Sequence, residues 1–326
     1  MMRRRSLLVG VGCLAALPAC RERRGRVWAA RIPPNGPPPQ PSPTAAGLLP
    51  EATMLGDGRT PTFTPVAYAE HVAALEQRLS SIGAGPLAMR IEDPFVVAGD
   101  DSTETLAVRS RVVRWAADML EKGFFDKRPG RILDVFLFRS AASYQRGVRL
   151  LTGDEPRTPF GFYSSEHDGL FMNISTGGGT LVHEIVHPYV EADFEGAPAW
   201  LNEGLGSLFE QSGERGGHIV GYTNWRLHPL QRAIADRRVP SFRTLCSMSH
   251  RNFYDGDPDV NYGQARYLMY YLQETALLRT FYKSFRATRM KDPSGYATLV
   301  ATLGKPDMAD FQKRWTEYVL SLRFDG

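Results

Sequence analysis

The chain has 326 residues, a formal net charge of +4 and only three cysteines. The charge is concentrated at the start: Arg3, Arg4 and Arg5 carry three positive charges and residues 21–26 a net three more, which leaves −2 over residues 27–326. No basic footprint for nucleic acid remains in the body of the chain, and with Cys13 and Cys20 near the N-terminus, Cys246 has no partner for an internal disulfide and is expected to be a small buried hydrophobe.

Arg3-Arg4-Arg5 followed by the apolar residues 6–17 reads as an export leader, too short to span a bilayer as a stable helix. Leu17-Pro18-Ala19-Cys20 resembles a bacterial lipobox. The resemblance implies cleavage before Cys20, a lipid on its thiol, and residence at the bacterial cell envelope; a conventional leader cut nearby is the alternative. Arg4-Arg5-Ser6-Leu7-Leu8 also resembles a twin-arginine export signal. The basic cluster at 21–26 would lie against anionic headgroups. Residues 31–65, rich in Pro and small side chains, read as a semi-extended tether. The expected organisation is a leader at 1–20, a basic then Pro-rich tether at 21–65, and a folded domain at 66–326. No other apolar stretch is long enough to cross a membrane.

Within the domain, residues 66–82 have helical spacing, 95–98 and 132–138 read as strands, and 103–122 carry an apolar face suited to a helix. A further helix is expected at 140–151. Residues 160–163 and 169–174 flank a polar turn and read as a β-hairpin. Ser175-Thr176-Gly177-Gly178-Gly179 then leads to Thr180, the expected N-cap of the next helix. The glycine run lacks the Lys-Ser/Thr ending of a phosphate loop.

That next helix carries His183-Glu184-Ile185-Val186-His187. Two imidazoles four residues apart share one helix face, with Cβ atoms about 5–6 Å apart. Both can therefore reach one Zn2+ at about 2.0–2.1 Å. Glu184 points roughly 100° further round, where it can hold a water without being a ligand. Pro188 removes an intrahelical hydrogen bond and is expected to end or bend the helix just past the site. A catalytic zinc takes three protein ligands. Asp193 is chemically able to be the third, but Val190 stands where a turn of that kind needs glycine. Glu203 is the stronger candidate: it lies in Trp200-Leu201-Asn202-Glu203-Gly204-Leu205, on an apolar helical stretch that a reversal at Glu195-Gly196-Ala197-Pro198 can fold back over the histidines.

The pair His183-Glu-x-x-His187 and Trp200-Leu-Asn-Glu203-Gly-Leu resembles the gluzincin metallopeptidases, and among them the peptidase-MA-like domains of bacterial envelope proteins. The resemblance extends from about residue 95 to 323. It implies an α+β, zincin-like fold: a small mixed sheet and active-site helix over 66–195, then a mostly helical lobe over 196–326. It also implies one Zn2+ per chain on His183, His187 and Glu203, with Glu184 as general base for a metal-activated water. It places an oxyanion donor, Tyr or His, downstream; Tyr262 is the main candidate, just before a helix expected at 266–274, and His250 a weaker one. Where relatives of this kind carry a carboxylate that orients a histidine, this chain has Ser207, and Glu210 is the substitute within reach. In similar peptidases an edge strand at the position of the 160–174 hairpin receives the substrate as an added strand. Gly169-Leu170-Phe171-Met172-Asn173 echoes an aminopeptidase segment but lacks its Glu, which favours an endopeptidase. The implied partners are an extended peptide or protein substrate and, through Cys20, a membrane. The alternatives are a non-catalytic envelope lipoprotein that keeps the fold as a binding or assembly module, and a zinc hydrolase of a non-peptide amide. The final stripe Phe311, Trp315, Tyr318, Val319 and Leu322 reads as core.

Overall fold

The computed structural model describes residues 27–28 and 62–324. The leader, Cys20 with its expected lipid, and nearly all of the tether lie outside the described residues.

Strand β1 (Val27–Trp28) precedes helix α1 (Pro65–Ser81), which Thr64 caps by accepting the Ala67 N–H. Strands β2 (Ala88–Glu92) and β3 (Phe95–Gly99) form a hairpin around Asp93-Pro94. Helix α2 (Thr103–Gly123), strand β4 (Leu133–Phe138) and helix α3 (Ala141–Thr152) follow, the last closed at its start by a Ser140–Ser143 capping box. Strands β5 (Gly161–Ser164) and β6 (Gly169–Asn173) are the expected hairpin. Helices α4 (Gly179–Asp193) and α5 (Ala199–Phe209) come next, then a β7–β8 hairpin (Ser212–Arg215, His218–Gly221). Helices α6 (Leu227–Ala235), α7 (Phe242–Ser247), α8 (His250–Asp255), α9 (Pro258–Glu274), α10 (Leu278–Thr288), α11 (Tyr296–Thr302) and α12 (Met308–Ser321) complete the chain.

The fold is α+β. One sheet runs β1-β5-β6-β4-β3-β2, with β3–β4 and β4–β6 parallel and the other neighbours antiparallel. Side chains alternate across it. Val96, Ala98, Phe136, Phe138, Phe162 and Phe171 pack on one face with Tyr68, Leu75 and Leu79 of α1 and Tyr144 and Val148 of α3. Phe95, Val97, Val135, Leu137, Leu170 and Met172 face α2, α4 and the helical half. Burial on both sides explains why β4 reads as a nearly continuous apolar run, interrupted by Asp134, rather than an alternating one. The larger cluster extends from Phe95 to Val319 and includes Phe311 and Trp315, so the two expected lobes share one core. Cys246 is buried, as expected.

Three local expectations are corrected. Thr180 is not the N-cap: α4 begins at Gly179 behind a Gly177 at φ 108°, and a Cβ on Gly179 would lie 2.6 Å from the Glu210 carbonyl oxygen. The glycine run is there for that close approach and for the left-handed turn. Pro188 does not end the helix, which continues to Asp193; every residue from Thr180 to Val190 is buried, and packing on all sides holds the interrupted turn. Helix α9 starts at Pro258, not at 266, because Asp257 accepts the Val260 N–H as N-cap and Pro258 occupies the first turn.

At the opposite face of the sheet from α4, His71 of α1 bonds Asp134 of β4 through Nε2 at 2.8 Å. That hydrogen bond raises the His71 pKa above its ordinary 6.5 against the opposing effect of partial burial, with Asp134 and Asp168 adding charge. A raised folded-state pKa gives stability that is complete below 6.5 and is lost as pH rises through the folded value. The urea midpoint of the parent is therefore expected to exceed that of His71→Gln at about pH 6 and to converge on it by about pH 8.5. A difference that does not change with pH would refute this.

Candidate metal centre

Helix α4 supplies the first ligand pair. His183 and His187 are 0% and 1% exposed, and their rings stand 4.9 Å apart, nearly perpendicular. The loop to α5 turns at Gly196, φ 78°, which lets α5 fold back across α4. Glu203, on the first turns of α5, then places Oε2 3.1 Å from His183 Nε2. One ligand atom from each of His183, His187 and Glu203 lies within 4.8 Å of the others, and all three side chains are buried. The approach requires glycine at 206, where a Cβ would sit 2.9 Å from His183 Nε2.

Both histidines are held by their other nitrogen. His183 Nδ1–H donates to Glu210 Oε1 at 3.0 Å, and His187 Nδ1–H donates to Asn202 Oδ1 at 3.1 Å. Fixing Nδ1 as the donor turns Nε2 of each ring toward the cluster; the His187 Nε2 carries the lone pair, and the His183 Nε2, which donates to Glu203, would give up its proton to a metal. Glu210 is itself clamped: Arg226 donates from Nε at 2.8 Å and from Nη2 at 2.6 Å, and Asn224 Nδ2 donates at 3.1 Å. The Arg226 side chain is 2% exposed and lies between the rings of Trp225 and Tyr262, 4.2 and 4.9 Å from their centroids. Glu210 thus serves as the orienting carboxylate, with Ser207 buried nearby on the same helix. Asn202 and Arg226 were not evident from the sequence. Asn202 is adjacent to Glu203 in the motif, whereas Arg226 arrives only through tertiary packing.

Electrostatics follow from this geometry. Burial lowers the His187 pKa to about 4, so its imidazole is neutral. Burial also disfavours a charged His183, but its hydrogen bonds to Glu203 and Glu210 outweigh that and raise it to about 10. Its Nε2 is therefore a strongly basic donor. Burial pushes Glu203 up, yet the facing imidazoles and the Tyr254 phenol bring it below the usual carboxylate range. Glu210 is held low too, its burial overridden by Arg226.

Glu184 is 0% exposed and sits beside this set rather than in it. Tyr163 of β5 donates its backbone N–H to Oε2 at 3.0 Å, and the same oxygen is 3.6 Å from His187 Nε2. Tyr262 is fully buried on α9, its ring 5.3 Å from Phe253 and 6.2 Å from Tyr254. Tyr254 of α8 also reaches a ligand: its Oη donates to Glu203 Oε1 at 2.5 Å. His250 packs against that tyrosine at a tilt, with ring centroids 4.5 Å apart. Asp193 is engaged elsewhere, bonded by Arg286 and by Tyr282 Oη at 3.0 Å, and lies outside the ligand cluster. Sequence reading missed Tyr254 because nothing marks a one-turn-and-a-half helix as lining a site.

The donor set suits a divalent transition metal: two neutral Nε2 atoms, one carboxylate, and second contacts that orient each ring. In comparisons with known proteins, residues 178–294 match a family model described as a protein of unknown function, DUF1570. The matched stretch holds His183, Glu184, His187, Asn202, Glu203, Glu210, Arg226 and Tyr254. No curated protein matches the chain.

Arg226→Lys keeps the charge but loses the two-pronged grip on Glu210. The variant is expected to bind added Zn2+ about 10–100-fold more weakly in a chelator competition, while its far-UV spectrum is unchanged. Parent-like affinity would show that the Arg226–Glu210 pair does not orient His183.

Proposed function

We propose that this protein is a zinc-dependent peptidase of the bacterial cell envelope, attached through a lipid on Cys20 and cutting within extended peptides. The observation that carries the reading is Glu184: a carboxylate buried against a three-ligand set, anchored by a backbone amide, yet not among the ligands. Structural zinc sites are normally closed by four protein ligands and need no such neighbour. A bound Zn2+ would supply the Lewis acid that polarises a peptide carbonyl and acidifies water.

The chain's own residues do the rest. Tyr163 N–H fixes the Glu184 carboxylate with Oε2 3.6 Å from His187 Nε2, in position to take the proton of the attacking water. As the water oxygen bonds to the carbonyl carbon and the C–N bond breaks, Glu184 returns that proton to the leaving nitrogen. Tyr254 is the donor best placed for the developing oxyanion, in preference to Tyr262, because its hydroxyl already reaches Glu203 and it feels the charge of Glu184. Burial, with Glu203 beside it, holds the phenol well above its ordinary pKa, so it remains a donor at neutral pH. Exclusion of water strengthens each of these interactions.

The completeness of the burial favours a second reading, a non-catalytic envelope lipoprotein that uses the centre for structure or binding: Glu184 and Glu203 are both 0% exposed. The two readings differ at one residue. Glu184→Gln is expected to keep about one zinc per chain by elemental analysis and to lose hydrolysis of a peptide library by about 10²–10⁴-fold. His183→Ala and Glu203→Ala are expected to lose the zinc. A parent that binds zinc but cuts nothing in the library would favour the binding module, and undiminished cutting by Glu184→Gln would remove the general base. Tyr254→Phe is expected to keep zinc and lower kcat by about 10²-fold, with a smaller change in Tyr262→Phe; the reverse order would return the donor role to Tyr262.

A further inference from the structure

The direction of the main-chain groups along β5 sets what its outer edge can do. Asn173 N–H donates to the Phe160 carbonyl, and β5 pairs with β6 through Phe162 opposite Phe171 and Ser164 opposite Gly169. Hydrogen-bonded pairs alternate along an antiparallel ladder. Phe160, Phe162 and Ser164 therefore turn toward β6, and Gly161 and Tyr163 turn toward the outer edge. The Thr158 hydroxyl engages both the N–H and the C=O of Gly161. Tyr163 N–H is bonded to Glu184 Oε2. The outer edge of β5 thus borders the candidate base, and pairing with another strand is concentrated at and beyond Tyr163.

Another strand is already there. β1 lies antiparallel on this edge, Val27 opposite Ser164 and Trp28 opposite Tyr163. A main chain laid along this edge runs past Glu184, and the first one laid there belongs to the protein itself.

We infer that Val27–Trp28 is a built-in occupant of the edge of β5 that takes an extended peptide, so that an incoming peptide must displace it. The inference rests on the peptidase reading for what that edge binds. Main-chain pairing does not demand a matching sequence, so a segment of the tether can stand in for a ligand. Two residues make few hydrogen bonds, but covalent attachment gives an effective concentration of about millimolar. That is enough to fill the edge and weak enough to yield. The arrangement also covers a strand edge that would otherwise be open to pairing with other chains.

The test uses a dye-labelled peptide copying residues 23–32, followed by fluorescence anisotropy, with a control peptide carrying Pro at the two strand positions. It is added to the full chain, to Trp28→Pro, which removes a strand N–H, and to a chain lacking residues 21–30. The peptide is expected to bind both variants at least about tenfold more tightly than the parent, and the control to bind none. Equal binding to parent and variants, or none to either variant, would overturn the inference. The readout needs no turnover. Binding as expected without hydrolysis by any form would count against the peptidase reading and leave the occupied edge standing. Hydrolysis that the deletion does not accelerate would overturn the occupied edge and leave the peptidase reading standing.

Discussion

His183 stands between two carboxylates, Glu203 on one ring nitrogen and Glu210 on the other, and much of the molecule is arranged to make that tolerable. Buried carboxylates are costly unless each is paired and hydrogen-bonded. Glu210 has Arg226 and Asn224; Glu203 has His183 and Tyr254; Glu184 has the Tyr163 amide. Arg266, fully buried on α9, adds a second guanidinium that feels Glu210 and donates to the carbonyls of Leu208 and Tyr222. Three carboxylates face two guanidiniums, so the neighbourhood is one positive charge short. A proton on His183 or a cation at the cluster makes up the difference. A closed, dry, negatively biased pocket of imidazole and carboxylate is therefore the expected resting place of a metal ion.

The scaffold serves that arrangement through close approaches. Gly179 brings the start of α4 against the end of α5, where Glu210 sits, and Gly206 lets α5 slide under the His183 ring. Gly204 lets α9 pack on α5, since a Cβ there would be 3.2 Å from the Ala265 carbonyl oxygen. The Leu208 carbonyl, in the last turn of α5, then receives Arg266, a cation at a helix C-terminus. Small residues at the crossing points are thus what allow long polar side chains to meet in the middle.

The sequence makes the cluster of His183, His187 and Glu203, with Glu184 beside it, legible because each member rests on local spacing: four residues within one helix, or a single residue on the next helix after a glycine-proline reversal. Strands β3, β4, β5 and β6 and the early helices are legible for the same reason. The misses have a common cause. Arg226, Asn224 and Tyr254 are defined by where distant elements pack, and no period in the chain points to them. Strand β2 escapes because Ala88 and Met89 are only partly buried, Arg90 and Ile91 are exposed and the one buried residue is Glu92, so its pairing with β3 leaves no clean alternation. The start of α9 was misplaced although Asp257-Pro258 announces it, because Tyr262 was read as part of a loop leading to the helix. Placing Tyr262 inside α9 sets its ring against Arg226, and Tyr254 of α8 is a phenol on Glu203 that no sequence spacing marks.

The centre has one stiff side and one adjustable side. The ring nitrogens that do not face the cluster are fixed by Glu210 and Asn202, and Glu210 by a guanidinium sealed between two aromatic rings. Helices α4, α5 and α9 carry the histidines, Asn202, Glu210 at the end of α5, and Tyr262, and Arg226 stands at the N-cap of α6, so ligand geometry is set before anything binds. The other side is built from short pieces. Tyr254 sits on α8, six residues between Ser249 and Gly256, and the edge by Glu184 is covered by two residues of β1. Few backbone bonds hold either piece, and local opening is easiest where such bonds are few. With the site fully buried, any peptide must enter by shifting an element of this weak side, since moving the stiff side would separate Glu210 from Arg226 and cost about 3–5 kcal/mol for an unpaired buried charge. On the peptidase reading, the same division that would hold a metal in place also directs where a substrate would come in.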